Sequence, residues 1–100
     1  MAKSSVLELS KPDVSLQDPV LYKVIILNDD YTTVDFVVEI LLTIFHKTYQ
    51  EAVELTYDVH HKGSGVCGTY TYDIATTKIK EAKKEAKKDG FPLRLICEEA

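Results

Sequence analysis

The apolar pattern changes period abruptly between Leu27 and Val34, and that change constrains the fold more than any other feature of the chain. Leu21–Leu27 is short and rich in β-branched residues, which predicts a strand. Tyr22, Val24 and Ile26 alternate with Lys23, Ile25 and Leu27, so both faces are mostly apolar and the strand is expected at a sheet centre. Behind Asn28-Asp29-Asp30, the residues Val34, Val37, Val38, Leu41, Ile44 and Phe45 recur at helical spacing. Ile40 and Leu42 widen that stripe, which makes this the most buried helix expected. Thr32 is the expected N-cap, with Asp35 as an acidic capping-box partner and Tyr31 with Phe36 as the hydrophobic staple. The helix is expected to run to about Phe45, with His46 and Lys47 placing positive charge at its C-terminal end.

Past that point the same signals repeat. Thr48 and Glu51 have capping-box spacing at the start of a second helix, whose apolar face is Ala52, Leu55 and Val59. His60, His61 and Lys62 finish it, and Gly63 supplies the left-handed residue that ends it. Val66–Thr71 reads as a strand. Thr71 or Asp73 caps a third helix with a thin stripe of Ile74, Ala75, Ile79, Ala82 and Ala86. Asp89-Gly90 and Pro92 stop it, Leu93–Cys97 forms the last strand, and Glu98-Glu99-Ala100 is expected to fray. The order is β-α-α-β-α-β. The fold class expected is α+β: a two-layer sandwich of a three-stranded antiparallel sheet and three helices. Residues 1–20 hold no regular period and contain Pro12 and Pro19, so they are expected to be a flexible N-terminal extension to a core domain over residues 21–100.

Composition excludes several functions. A net charge of -4 argues against a general nucleic-acid binder. The lysines of Lys78–Lys88 are interrupted by Glu81, Glu85 and Asp89, which reads as a solvated face. No apolar run approaches the ~18 residues of a membrane span. The N-terminus lacks an apolar signal core, so a cytoplasmic location is expected. Cys67 and Cys97 read as buried free thiols, with a disulfide open only if their two strands pair.

Four constellations remain to be weighed. His60, His61 and Cys67 lack metal-ligand spacing, because adjacent helical side chains diverge by about 100°, so no metal or other cofactor is expected. Asp29, Asp30 and His60 offer an acid–base pair but no neighbouring nucleophile or phosphate loop, so no enzyme is expected. The lysine stripe, broken by acidic residues and without interleaved aromatics, does not form a phosphate site. The fourth is a cation recess. An amine brings three N–H donors and a positive charge. Asn28, Asp29, Asp30 and neutral His60 would supply the acceptors. Ordinary turn chemistry accounts for Asn28-Asp29-Asp30 equally well.

At Tyr22-Lys-Val-Ile-Ile-Leu-Asn-Asp-Asp-Tyr-Thr32 the chain resembles the ClpS adaptors, N-degron recognition adaptors of Clp proteases. The resemblance continues through Asp35-Phe36-Val37, Val59-His60, Gly63, Val66-Cys67-Gly68, Thr77-Lys78 and Pro92-Leu93, so it covers the chain from Leu21 onward. It implies an adaptor that binds proteins beginning with Leu, Phe, Tyr or Trp and hands them to a ClpA-like or ClpC-like AAA+ unfoldase. It further implies that Asn28, Asp30 and His60 hold the substrate α-amine, with Asp29 a weaker and more structural candidate. Thr32 would lie beside the first peptide group. Ile26, Val34, Val37, Thr56, Val59 and Leu93 would line the side-chain pocket, and Asp73 and Lys78 would contact the unfoldase N-domain. Val34 and Thr56 stand where many relatives carry Met, and Thr33 where proline is common. Those departures bear on which first residues are admitted. The competing reading is a docking-only modulator of the unfoldase, which would not need the acceptors.

Overall fold

A computed structural model describes residues 18–100. The leading extension expected from the sequence therefore lies, for residues 1–17, outside the described residues. The elements are β1 (Leu21–Leu27), α1 (Val34–Thr43), α2 (Tyr49–Lys62), β2 (Ser64–Thr71), α3 (Tyr72–Lys88) and β3 (Arg94–Glu99), in the expected order. β1 is central in a three-stranded sheet of order β2-β1-β3 and runs antiparallel to both neighbours. Its inward residues Val24 and Ile26 are fully buried. They meet Phe36, Ile40 and Leu41 of α1, Ala52 and Val59 of α2, and the alanine stripe of α3 in one core. The opposite face stays open. There Ile25 pairs with Val66 and Ile96, both of which are exposed.

Several boundaries differ from expectation for local reasons. The N-cap of α1 is Thr33, not Thr32: the Thr33 hydroxyl accepts from the Phe36 N–H at 3.2 Å. Thr32 is taken instead by Asp29, as described below. With the cap moved one residue, Asp35 has no reciprocal capping role, and Tyr31, 76% exposed, forms no staple with Phe36. The helix ends at Thr43, so His46 and Lys47 lie beyond it and do not offset its dipole. His46 takes a left-handed φ of 55°, turning the chain toward α2. The charge at this helix end comes from far along the chain: Lys78 donates to the Ile44 carbonyl at 2.7 Å.

The capping box of α2 forms as expected. Thr48 accepts from the Glu51 N–H, and Glu51 accepts from the Thr48 N–H. Gly63 ends the helix at φ 94°. Thr71 precedes α3 without a side-chain cap, and Ile74 of the expected stripe points outward, 49% exposed. β2 begins at Ser64, earlier than expected, because Ser64 and Gly65 already pair with Leu27 and Ile26. Gly65 also lets α2 approach the sheet: a Cβ there would lie 2.7 Å from Leu55 and 2.9 Å from Val59. The last strand begins at Arg94, leaving Leu93 just before it. Glu98 and Glu99 do not fray; they pair with Lys23 and Tyr22, and the Ala100 N–H bonds the Leu21 carbonyl. Both cysteines are free thiols. β2 and β3 flank β1 on opposite sides, so the disulfide that would need them paired does not form. Burial pushes the Cys67 thiol up to about 12, against weaker opposing effects of Lys47 and the Ile26 backbone.

Candidate functional site

The strand-to-helix junction is built by Asp29. One of its carboxylate oxygens accepts from the Tyr31 N–H (2.8 Å) and the Thr32 N–H (2.7 Å), and the other from the Thr32 hydroxyl (2.7 Å). Partial burial raises its pKa, but the Thr32 and Tyr31 hydrogen bonds and the Arg94 guanidinium outweigh that, leaving the carboxyl below its usual value. Asp29 is thus the anchor of the turn, with both oxygens committed. Its neighbours are differently placed. Among the described residues, no protein group hydrogen-bonds the side chains of Asn28, Asp30 or His60. Asp30 and His60 are exposed and Asn28 is half-buried.

One backbone hydrogen bond brings the second helix to this turn. The Asn28 N–H donates to the Gly63 carbonyl at 2.9 Å, while the Gly63 N–H closes α2 on Val59. The C-terminal turn of α2, carrying His60, is therefore pinned beside the end of β1. Thr56 lies one turn earlier on the same face as His60. It is buried, and its hydroxyl donates back to the Ala52 carbonyl at 2.7 Å, which spares the recess an unpaired donor.

A recess of about 380 Å³ opens between α1 and α2, and Val34, Thr56 and His60 all line it. Sequence reasoning placed Val34 in the core stripe, but it is 60% exposed on this rim. Of the other expected pocket residues, Ile26, Val37, Val59 and Leu93 are core side chains packed below the surface. The recess also takes Val38, Tyr49, Val53 and Tyr57, which sequence reasoning did not single out. Their signal was legible: Tyr49, Val53 and Tyr57 stand four residues apart on the otherwise polar face of α2. A second recess of about 480 Å³ between α1 and α3 is rimmed by Glu39, Glu81, Glu85 and Asp89 and shares no residue with the junction.

The two residues expected at an unfoldase interface are not alike. Asp73 is exposed in the first turn of α3. Lys78 is half-buried and committed to the Ile44 carbonyl, 5.3 Å from the Tyr70 ring centre and 5.9 Å from that of Phe45. No group of three or more His, Cys, Asp or Glu side chains among the described residues is arranged to hold a metal ion. No helix among them is long and apolar enough to cross a membrane.

The arrangement is chemically specific. His60, whose side chain has no hydrogen-bond partner among the described residues, lines an apolar recess, and Asn28 and Asp30 sit on the turn pinned beside it, which suits a ligand that is cationic at one point and apolar next to it. The chain is similar to known proteins. The family described as "ATP-dependent Clp protease adaptor protein ClpS" matches residues 17–96. An ATP-dependent Clp protease adapter protein ClpS from Wolinella succinogenes is 50% identical over 99% of this chain and 98% of its own. The one from Acetivibrio thermocellus is 56% identical over 86% of this chain and 87% of its own. Among solved structures, Agrobacterium tumefaciens ClpS2 bound to L-phenylalaninamide superposes with a TM-score of 0.80 at 40% identity, covering 83% of this chain and all of that one. With its fold and its sequence in agreement over most of its length, the chain belongs to the ClpS family of ATP-dependent Clp protease adaptors.

Proposed function

We propose that this adaptor reads the first residue of substrate proteins, selecting a free α-amine joined to a large apolar side chain (Leu, Phe, Tyr or Trp). The observation that carries the reading is His60, which lines the apolar recess with Val34 and Thr56 and is pinned by the Asn28–Gly63 backbone hydrogen bond beside the turn that bears Asn28 and Asp30. The α-ammonium donates to Asn28, Asp30 and a ring nitrogen of His60. Asp29 holds the turn that presents them, and its carboxylate with that of Asp30 offsets the positive N-terminus of α1. Thr32, its hydroxyl donated to Asp29, keeps lone pairs for the first peptide N–H. The side chain enters between Val34 and Thr56, above the core side chains Ile26, Val37, Val59 and Leu93, gaining roughly 1.5–3 kcal/mol from desolvation. The amine alone is common to every lysine, and the side chain alone to every unfolded segment; requiring both selects an N-terminus. That the related ClpS2 is bound to L-phenylalaninamide, an amine next to an aromatic side chain, supports the assignment.

Bound substrate passes to a ClpA-like or ClpC-like AAA+ unfoldase in the cytoplasm. Asp73 meets the unfoldase N-domain, together with the donors of Lys78 that Ile44 leaves unused. The core over residues 21–100 does the binding, and residues 1–20 act in delivery. The test is affinity for peptides that differ only in residue one, with and without N-acetylation. Phe- and Leu-peptides are expected to bind and acetylated Phe-peptides to fail, since acetylation removes the charge and strands the acceptors. Equal affinity for Phe-, Arg- and acetylated Phe-peptides would leave only the docking role.

A further inference from the structure

The recess is longer than one side chain requires. Its walls run from His60 back to Tyr49 along α2, eleven steps that span about 16 Å at ~1.5 Å per residue. The end near the junction is used by the first residue in the function proposed above. The far end, formed by Val38, Val53 and Tyr49 with Tyr57 beside them, has no role there. It is nevertheless well made. Val53 is 40% and Tyr57 62% exposed, so two large side chains of one helix face stand uncovered beside each other in the recess. Tyr57 is held in place, stacked on the His61 ring with centres 3.9 Å apart, while the His61 Nδ1 lies 2.9 Å from the Tyr57 carbonyl oxygen.

We infer that this far end is a second subsite, which takes an apolar side chain at the third position of the substrate. The inference rests on the N-terminal reading, and spacing fixes the register. In an extended peptide, residues one and three point to the same side, about 6.6 Å apart at ~3.3 Å per residue. Val34 and Val38 are four helical residues apart, about 6 Å along α1. The distance from the first pocket to the second therefore matches the distance between alternate side chains. The second side chain of such a peptide points to solvent. The occupant is the continuation of the same substrate, because the two ends share one uninterrupted recess.

The test uses the full chain and four-residue Phe-peptides varied separately at positions two and three. A Gly→Leu change at position three is expected to tighten binding about 5–10-fold, the yield of partly burying one aliphatic side chain. The same change at position two is expected to do nothing. Val53→Gln, with Val38→Thr as a second variant from the other wall, is expected to abolish the third-position ratio. Val66→Thr, on the open face of the sheet, leaves it at the wild-type value. No dependence at position three, or dependence only at position two, overturns the inference while a preserved preference for Phe over acetylated Phe keeps the N-terminal reading. Loss of that preference overturns both. NOEs from the Val53 methyls to Val6, Leu7 or Leu9 in the free protein would put the chain's own leading segment in the recess. A peptide-reversible dimer in ultracentrifugation would put a second copy there. Either result overturns the inference.

Discussion

Adjacent carboxylates at the junction should separate cleanly by mutation, because one builds the turn and the other faces outward. Asp29→Ala removes the acceptor for three hydrogen bonds. The Tyr31 N–H is exposed and recovers water, so its loss costs little. The Thr32 N–H and hydroxyl are partly buried, and each loses about 1 kcal/mol. The expected destabilisation is about 2 kcal/mol, or a fall in Tm of roughly 8–16 °C for a domain of this size. Asp30 is exposed with no protein partner among the described residues, so Asp30→Ala should change stability by less than about 0.5 kcal/mol. It should instead weaken binding of a Phe-peptide by about 1–3 kcal/mol. The assays are urea unfolding and peptide affinity on both variants. pH gives an independent check. The folded-state pKa of Asp29 lies below its usual 3.8, so its contribution to stability is present above that value and is lost as pH falls through the folded pKa. The stability gap between wild type and Asp29→Ala should therefore shrink in acid. If Asp30→Ala destabilises as much as Asp29→Ala, or Asp29→Ala alone abolishes binding with stability intact, the division of roles is wrong.

Three further outcomes are expected. Gly65→Ala drives a methyl into Leu55 and Val59, costing about 1–3 kcal/mol in denaturant unfolding and weakening peptide binding through the displaced α2; a stable variant with normal binding would contradict the close approach. Lys78→Met leaves the Ile44 carbonyl without its donor and should cost about 1–2 kcal/mol, read by thermal unfolding; no loss would mean the ammonium is free for other partners. In native protein at pH 8 a thiol reagent should label Cys97 and spare Cys67, whose thiol burial pushes up to about 12, until denaturant is added; fast labelling of both would contradict the buried position of Cys67.

The fold was largely readable in the sequence because its elements are marked by local chemistry. Thr48 with Glu51 and Gly63 at the end of α2 act through neighbours a few residues away, and both behave as their types dictate. The readings that failed depend on partners distant in sequence. The choice between Thr32 and Thr33 as cap turned on Asp29, which competes for Thr32 from the other side of the turn. The charge at the end of α1 comes from Lys78, thirty-four residues beyond Ile44, and not from the adjacent His46 and Lys47. Glu98 and Glu99 carry no alternation to mark a strand; they are ordered by pairing with β1. The site divides the same way. The acceptors stood out as an excess over what one turn needs, and Asp29 proved to be the one the turn uses. The recess depends on how two helices face each other, so periodicity put Val34 in the core stripe while only the family resemblance put it in the pocket, and Val53 and Tyr57 passed unremarked.

The central claim is that one ligand touches the acceptors and the recess at once. An NMR titration of the full chain with L-phenylalaninamide tests it most directly. The account predicts saturable shifts in the Asn28 and Asp30 amides, the His60 ring and the Val34 and Thr56 methyls, all with one dissociation constant, and none with N-acetyl-L-phenylalaninamide. Shifts confined to other surfaces, or the same response to the acetylated compound, would contradict it.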